Sequence, residues 1–238
     1  MSVATASYIT AAFTLILLAG CGDGTRGSEY FPLMPGAEWQ YRVQRVTMDG
    51  ASQLRYLIKV GVPMPNEPLD QRTRVTFDGQ RLIYKLKDEG IYRIDMQRAP
   101  GPASTQDIQQ QMVMPANLSL KQQWQDRSVT AVLETKRPPF ESMFRLQAPI
   151  EMHYRIASLH ADVTTPTGVF NNCLLINGSG SAESDLGNGI GHATIEVTNT
   201  EWYAPNVGLV RMERHERTSA PALKSGTVVM ELDKWSPP

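Results

Sequence analysis

Ile150-Glu151-Met152-His153-Tyr154-Arg155-Ile156 is the stretch that decides the fold. Its apolar side chains fall at every second position, with Glu151, His153 and Arg155 between them. That is the period of a strand with one buried face. A helix would scatter the same four apolar residues around its circumference.

The alternation recurs on both sides of this stretch. Trp39, Tyr41 and Val43 alternate with Gln40, Arg42 and Gln44. Leu54, Tyr56, Ile58 and Val60 share one face of the next run, Leu82, Tyr84 and Leu86 of another, and Tyr92, Ile94 and Met96 of a fourth. Ala193, Ile195 and Val197 repeat the pattern near the C-terminus. Residues 128–133, 169–176, 209–212 and 227–232 read as further strands. Asp49-Gly50, Asp78-Gly79 and Asp88-Glu89-Gly90 are turn signals between runs. Three prolines make residues 62–70 a loop, and the polar, glycine-rich residues 177–191 read as another. No amphipathic helix is evident after residue 21. The expectation is an all-β fold of ten to thirteen short strands. It would be an antiparallel meander forming a strongly curved sheet, barrel or sandwich, after an N-terminal signal helix.

The chain has 238 residues, 41% of them hydrophobic, which suffices for one sizeable core. Residues 30–238 read as a single β-rich domain, with a Pro/Gly/Ser/Gln-rich loop or sub-boundary at 98–113. Met114-Pro115 before Trp124-Gln125 faintly echoes Met34-Pro35 before Trp39-Gln40. The formal charge of −1 gives no electrostatic footprint for nucleic acid.

The first 20 residues carry no charged side chain and end in Leu18-Ala19-Gly20-Cys21. This resembles the lipobox of bacterial lipoproteins. It implies removal of residues 1–20, lipid on Cys21, and residues 21–29 as a flexible tether. The charge-free N-terminus departs from the usual basic start. The competing reading is an uncleaved membrane helix, which Thr5, Ser7, Thr10 and Thr14 dilute. Gly22 rather than aspartate after the cysteine points to the outer membrane, facing the periplasm. Lipid on Cys21 leaves Cys173 without an intramolecular partner. Within its apolar run Cys173 reads as a small buried hydrophobe.

Three further elements resemble a group of uncharacterised β-rich bacterial envelope lipoproteins. They are residues 31–41 (Phe31-Pro32-Leu33, Gly36, Trp39, Tyr41), Thr165-Pro166-Thr167-Gly168-Val169-Phe170-Asn171-Asn172-Cys173, and Tyr203-Ala204-Pro205-Asn206-Val207-Gly208-Leu209-Val210. The resemblance implies an antiparallel β fold and export, and carries no catalytic residues. Gly168, Phe170, Cys173, Tyr203, Pro205 and Gly208 are expected to maintain the fold.

Residues that could carry chemistry are dispersed. His153, His160, His192 and His215 have no metal-ligand spacing between them. Glu183, Asp185 and Asn188 are hard donors without the spacing of a calcium loop. Gly178-Ser179-Gly180-Ser181 lacks the spacing of a nucleophile elbow. Eleven methionines, among them Met34, Met64, Met96, Met112, Met114, Met143 and Met152, would suit an apolar cavity. No cofactor is expected. The leading expectation is a non-catalytic interaction or envelope-assembly module that binds an envelope protein. It should show an open edge strand or exposed apolar patch. A carrier of an apolar ligand should show a cavity lined by Met, Leu, Tyr and Phe. A hydrolase should show a histidine bonded to a serine or carboxylate.

Overall fold

The computed structural model describes residues 25–48, 50–97, 110–130, 149–185, 191–220 and 225–238. The expected signal helix, Cys21, Met143 and Asn188 lie outside them. One helical turn, α1 (Gly27–Tyr30), precedes twelve strands. These are β1 (Glu38–Thr47), β2 (Gly50–Val60), β3 (Gln71–Thr76), β4 (Arg81–Lys87), β5 (Gly90–Gln97) and β6 (Gln111–Pro115) in the first half. The second half is β7 (Gln123–Ser128), β8 (Ile150–Thr165), β9 (Gly168–Asp185), β10 (His192–Ala204), β11 (Gly208–Thr218) and β12 (Gly226–Ser236).

All twelve join one antiparallel sheet in the order β6-β5-β4-β3-β2-β1-β12-β11-β10-β9-β8-β7. Each half is a six-strand meander, and the β1–β12 ladder zips the first strand to the last. The sheet is therefore a nearly closed up-and-down barrel whose gap lies between β6 and β7. The gap is bridged by side chains. Arg93 of β5 donates to Gln111 of β6 and pairs with Asp126 of β7 at 3.7 Å. Trp39 and Trp124, the two tryptophans of the sequence echo, sit in the first strand of each half.

Most of the alternating runs bury the faces they predict, although Leu54 and Leu86 are exposed. Trp39, Tyr41 and Val43 are buried, as are Ile150, Met152 and Ile156. Two differences come from bulges. The register slips between Ile83 and Tyr84 and between Ile91 and Tyr92. The buried residues of β5 are consequently Gly90 and Ile91, while Met96 is exposed. The third difference is larger: residues 177–185, read as loop, are the second half of β9. Their glycines serve packing. A Cβ on Gly178 would lie 2.6 Å from the Tyr154 ring, and one on Gly180 would lie 2.5 Å from the Glu151 carbonyl oxygen. Glycine in a strand marks such close approaches.

Two expectations at the loops also change. Residues 123–128 form β7, while Val129 and Thr130, expected in a strand, are in none. Gln111, expected in the linker, opens β6. At the N-terminus, Gly27, the last glycine of the expected tether, is buried, and its N–H donates to Ala116 O at 2.8 Å.

Candidate functional site

The three sequence elements of the resemblance converge at one end of the barrel. The Trp39 indole N–H donates to Val207 O at 2.6 Å, and the Tyr41 hydroxyl donates to Leu209 O at 3.0 Å. Asn206 N–H donates to Glu29 O at 2.7 Å. Tyr30 reaches Asn172 O at 3.4 Å. Gly208 has φ +93°, and a Cβ there would stand 3.2 Å from Pro32 Cδ. Pro205 and Asn206 make the turn, with Asn206 in the left-handed region at φ 61°. The Arg74 guanidinium lies 3.9 Å from the Phe31 ring centre and 5.0 Å from that of Trp39, and donates to Pro32 O at 2.9 Å. A half-buried cation stacked on aromatic faces keeps favourable electrostatics where water is partly excluded.

The long β8–β9 hairpin closes this end. Three register shifts bend β8, so the hairpin tip folds against β11 and β12. Thr167 donates to Leu232 O at 3.2 Å, and Arg211 donates to Thr164 O at 3.4 Å. Gly168 takes φ +132° in open space. Phe170 and Cys173 pack into the cluster built on Trp39 and Tyr41. Cys173 is fully buried, and burial pushes its thiol up to about 11. Such a thiol is inert at neutral pH. Of the residues singled out in the sequence, Gly168, Phe170, Cys173, Tyr203, Pro205 and Gly208 all belong to this region.

One ionisable cluster lies inside the barrel, and sequence reading missed it. Glu201 accepts from Asn199 Nδ2 at 2.6 Å and from the Tyr203 hydroxyl at 2.7 Å. Burial raises the Glu201 carboxyl above its ordinary range, although both donors favour the anion. Asp126 is raised for the same reason, against the pull of Arg93. Tyr154 is raised first by burial and then by Glu201 and Asp126. Nearby, Arg214 donates to Glu216 at 2.7 Å, to Ser128 at 3.0 Å and to Val129 O at 2.8 Å. The Asn199 side-chain oxygen is buried without a partner. These groups come from β7, β8, β10 and β11, so no local spacing announces them.

The histidines are apart from this cluster and exposed. His153 meets Gln125 at 3.3 Å, and His215 meets Thr227 at 3.0 Å. Among the described residues, no histidine side chain is bonded to a serine or a carboxylate. Nor is any group of three or more His, Cys, Asp or Glu placed to share a metal ion. Glu183 and Asp185 sit on a strand rather than a loop. No described helix is long and apolar enough to cross a membrane.

The grooves among the described residues are open and lined mostly by polar residues. One of about 500 Å³ crosses the outer face over Gln123, His153, Arg155, Asn177, Ser179 and Thr200. Among the described residues the methionines do not line a common space: Met114 and Met152 are fully buried, while Met34, Met48 and Met64 are exposed.

β2 is paired on both sides over only part of its length. Its residues 58–60 pair with β3, but residues 50–57 pair only with β1 among the described residues. Residues 50–55 are exposed. Leu54 is 40% exposed and Phe77, which stacks edge-on against Tyr56, is 57% exposed.

Residues 88–228, from the β4–β5 turn into β12, match the DUF3108-like family. The chain belongs to that family. No curated protein matches it. Similar solved structures include a protein from Bacteroides fragilis described as exported, with a YmcC-like fold. It is 15% identical, with a TM-score of 0.41 over 87% of this chain and 99% of that one. Another, described as a lipoprotein, comes from Parabacteroides distasonis, with 15% identity and a TM-score of 0.34 over 87% and 98% of the two chains. A LolA-superfamily protein from Nitrosomonas europaea shares 10% identity, with a TM-score of 0.26 over 89% of each chain. Scores this low carry no function from those molecules to this DUF3108-like chain.

Proposed function

We propose that the chain is a non-catalytic interaction module of the bacterial envelope, held to the outer membrane by lipid on Cys21 and facing the periplasm. The observation that carries the reading is the edge of β2, which among the described residues pairs only with β1 over residues 50–57. A free edge offers a row of backbone donors and acceptors, and an extended segment of another protein can complete it by strand addition. The packing supports this choice over a carrier. Phe31, Trp39, Tyr41, Tyr84 and Arg74 fill the barrel where an apolar ligand would sit. The ionisable cluster is turned inward, and its hydrogen bonds are to its own strands.

Two measurements test it. The full chain and Cys21→Ala are compared by labelling with a tagged fatty acid and by membrane fractionation. Label and outer-membrane sedimentation in the wild type alone support the address; an unlabelled wild type refutes it. A photo-crosslinking residue at Gln53 then reports what lies on the edge. A defined protein adduct that Arg55→Pro abolishes supports the module. An adduct confined to residues of the same copy refutes it.

A further inference from the structure

We infer that the barrel stands on the lipid surface, with the β2–β3 loop, residues 61–70, and Leu120 seated among the headgroups. The inference rests on the reading of Cys21 as the lipid anchor, and gives the barrel an orientation that an anchor alone does not.

In an up-and-down barrel the connections alternate between the two ends. Those that follow β2, β4, β6, β8 and β10 share the end where β1 begins and β12 finishes. The connections that lie outside the described residues all follow odd-numbered strands, so they attach at the opposite end.

The chain enters the barrel at the first of these ends. Thr25 O accepts from Leu118 N–H at 2.9 Å, Arg26 bridges to Asn117, and Gly27 N–H donates to Ala116 O at 2.8 Å. All three contacts are to the β6–β7 connection. Three residues separate Cys21 from Thr25. A trans chain spans at most about 3.6 Å per residue, so the two Cα atoms are no more than about 14 Å apart. Lipid on Cys21 therefore keeps this end of the barrel close to the bilayer.

The same end leaves apolar side chains in the open. Leu69 is 93% exposed, Val62 78%, Leu120 56% and Met64 55%. Met34, also exposed, is two residues from Gly36, whose N–H donates to Val60 O at the foot of the loop. The loop is built, not slack. Met64 N–H donates to Glu67 Oε2 at 3.1 Å, and Glu67 N–H returns to Met64 O at 2.9 Å. Gln71 N–H donates to Pro68 O at 3.0 Å, and the Arg72 guanidinium donates to Leu69 O at 2.9 Å. Pro63, Pro65 and Pro68 fix φ between these bonds. Leu120 is held out by the turn that Gln122 N–H closes onto Ser119 O, with Lys121 at φ 69°.

Single exposed apolar residues are ordinary, whereas a group of them on one rim marks a contact surface. The charges of the loop fit lipid as the partner. Glu67 pairs with Arg81 at 3.5 Å and Asp70 with Lys85 at 3.2 Å, so both of its carboxylates are already matched by the barrel. A few apolar side chains at headgroup depth supply a second membrane contact beside the anchor. The opposite end also exposes Met48 and Val129, but the anchor is not there. Residues 50–55 of β2 lie towards that opposite end. The orientation thus holds the β2 edge away from the bilayer, where a periplasmic partner reaches it.

Leu69→Cys, Leu120→Cys and Met48→Cys test the contact. Each full chain is acylated in a bacterial host and labelled with a polarity-sensitive thiol dye. It is then placed in vesicles of phosphatidylethanolamine and phosphatidylglycerol brominated high on their acyl chains. Cys173 is fully buried and an acylated Cys21 has no free thiol, so the introduced cysteine alone takes the dye. The dyes at positions 69 and 120 should shift to the blue and lose most of their emission to the bromines. The dye at position 48 should emit as in water. Thermal transitions equal to that of the wild type check that the variants fold.

The outcomes separate this inference from the reading beneath it. A water-like dye at position 69, on protein that carries the fatty-acid label and floats with the vesicles, overturns the membrane contact and leaves the anchor and the interaction module standing. Equal quenching at positions 48 and 69 overturns the orientation. A photo-crosslinking residue at Leu69 that gives a protein adduct in cells, with a water-like dye in vesicles, makes the loop a protein-docking surface and also overturns the contact. A wild type without fatty-acid label overturns the anchor, and this inference with it.

Discussion

The two ends of the first hairpin behave as opposites. At its base, Trp39 and Tyr41 anchor backbone carbonyls of the β10–β11 region and are almost wholly buried. At its far end, residues 50–55 are exposed and pair only with β1 among the described residues. The base carries the distinctive residues and the far end carries ordinary ones. The difference teaches where to look for each property: rare, bulky side chains report what holds this barrel shut, and the open surface is written in backbone pairing.

The largest effect should come from Trp39→Ala. Removing a fully buried indole costs about 3–5 kcal/mol, and the stranded Val207 carbonyl adds about 1–3 kcal/mol. Against a typical total of about 5–15 kcal/mol, the variant should be at the edge of folding. Urea denaturation measures it. A loss under about 1 kcal/mol would mean that the converged region does not hold the barrel. The two signature glycines then sharpen the point. Gly208→Ala meets both a positive φ and Pro32, and should cost about 2–3 kcal/mol. Gly168→Ala has the positive φ but empty space, and should cost about 1 kcal/mol. Equal losses would show that backbone strain alone, and not packing against residues 30–32, governs this end.

Much of this was legible in the sequence, for a local reason. Strand alternation is a property of neighbouring residues, so Trp39–Val43 and Ile150–Ile156 announce their buried faces. What was illegible depends on distant partners. Gly178 and Gly180 read as loop residues because nothing nearby in sequence says that Tyr154 and Met152 need their space. β7 reads Gln-Trp-Gln-Asp-Arg-Ser, with little alternation, because as an edge strand it buries little. The Glu201 cluster draws on four strands. The open edge exists because β3 ends at Thr76 while β2 runs on, a mismatch of lengths that no motif records.

The far end should tolerate what the base does not. Arg55→Pro and Leu54→Asp should each change the stability of the isolated barrel by about 0.5 kcal/mol or less, the usual range for exposed positions. The same two changes should remove partner binding at the edge. If either one costs as much as Gly208→Ala, then the β2 edge is covered in the folded chain, and the contrast between the two ends fails.

The most exacting test of the contrast is at Glu201, which adjoins the packed region and, like Asp126, is a carboxyl whose proton is held more tightly by burial. Its carboxyl is raised in the folded protein by burial. A carboxyl raised on folding binds its proton more tightly in the folded state. Its contribution to stability is therefore fully present below the unfolded value, 4.5, and is lost as pH rises through the higher folded value. Glu201→Gln removes that loss. Its amide N–H can donate to the Asn199 oxygen once the Asn199 amide turns over, which keeps one hydrogen bond between the two side chains and leaves the Tyr203 hydroxyl its acceptor. The variant should equal or exceed the wild type at pH 7, by about 1 kcal/mol or about 2–4 °C in thermal midpoint. Its stability should fall less between the unfolded and folded values. Asp126, raised by the same burial, should keep a residual slope that Asp126→Asn removes. A group retained only for packing gives this result. If Glu201→Gln instead left stability unchanged and abolished the Gln53 adduct in cells, the interior would be a working site, and the division between a structural base and a functional edge would be wrong.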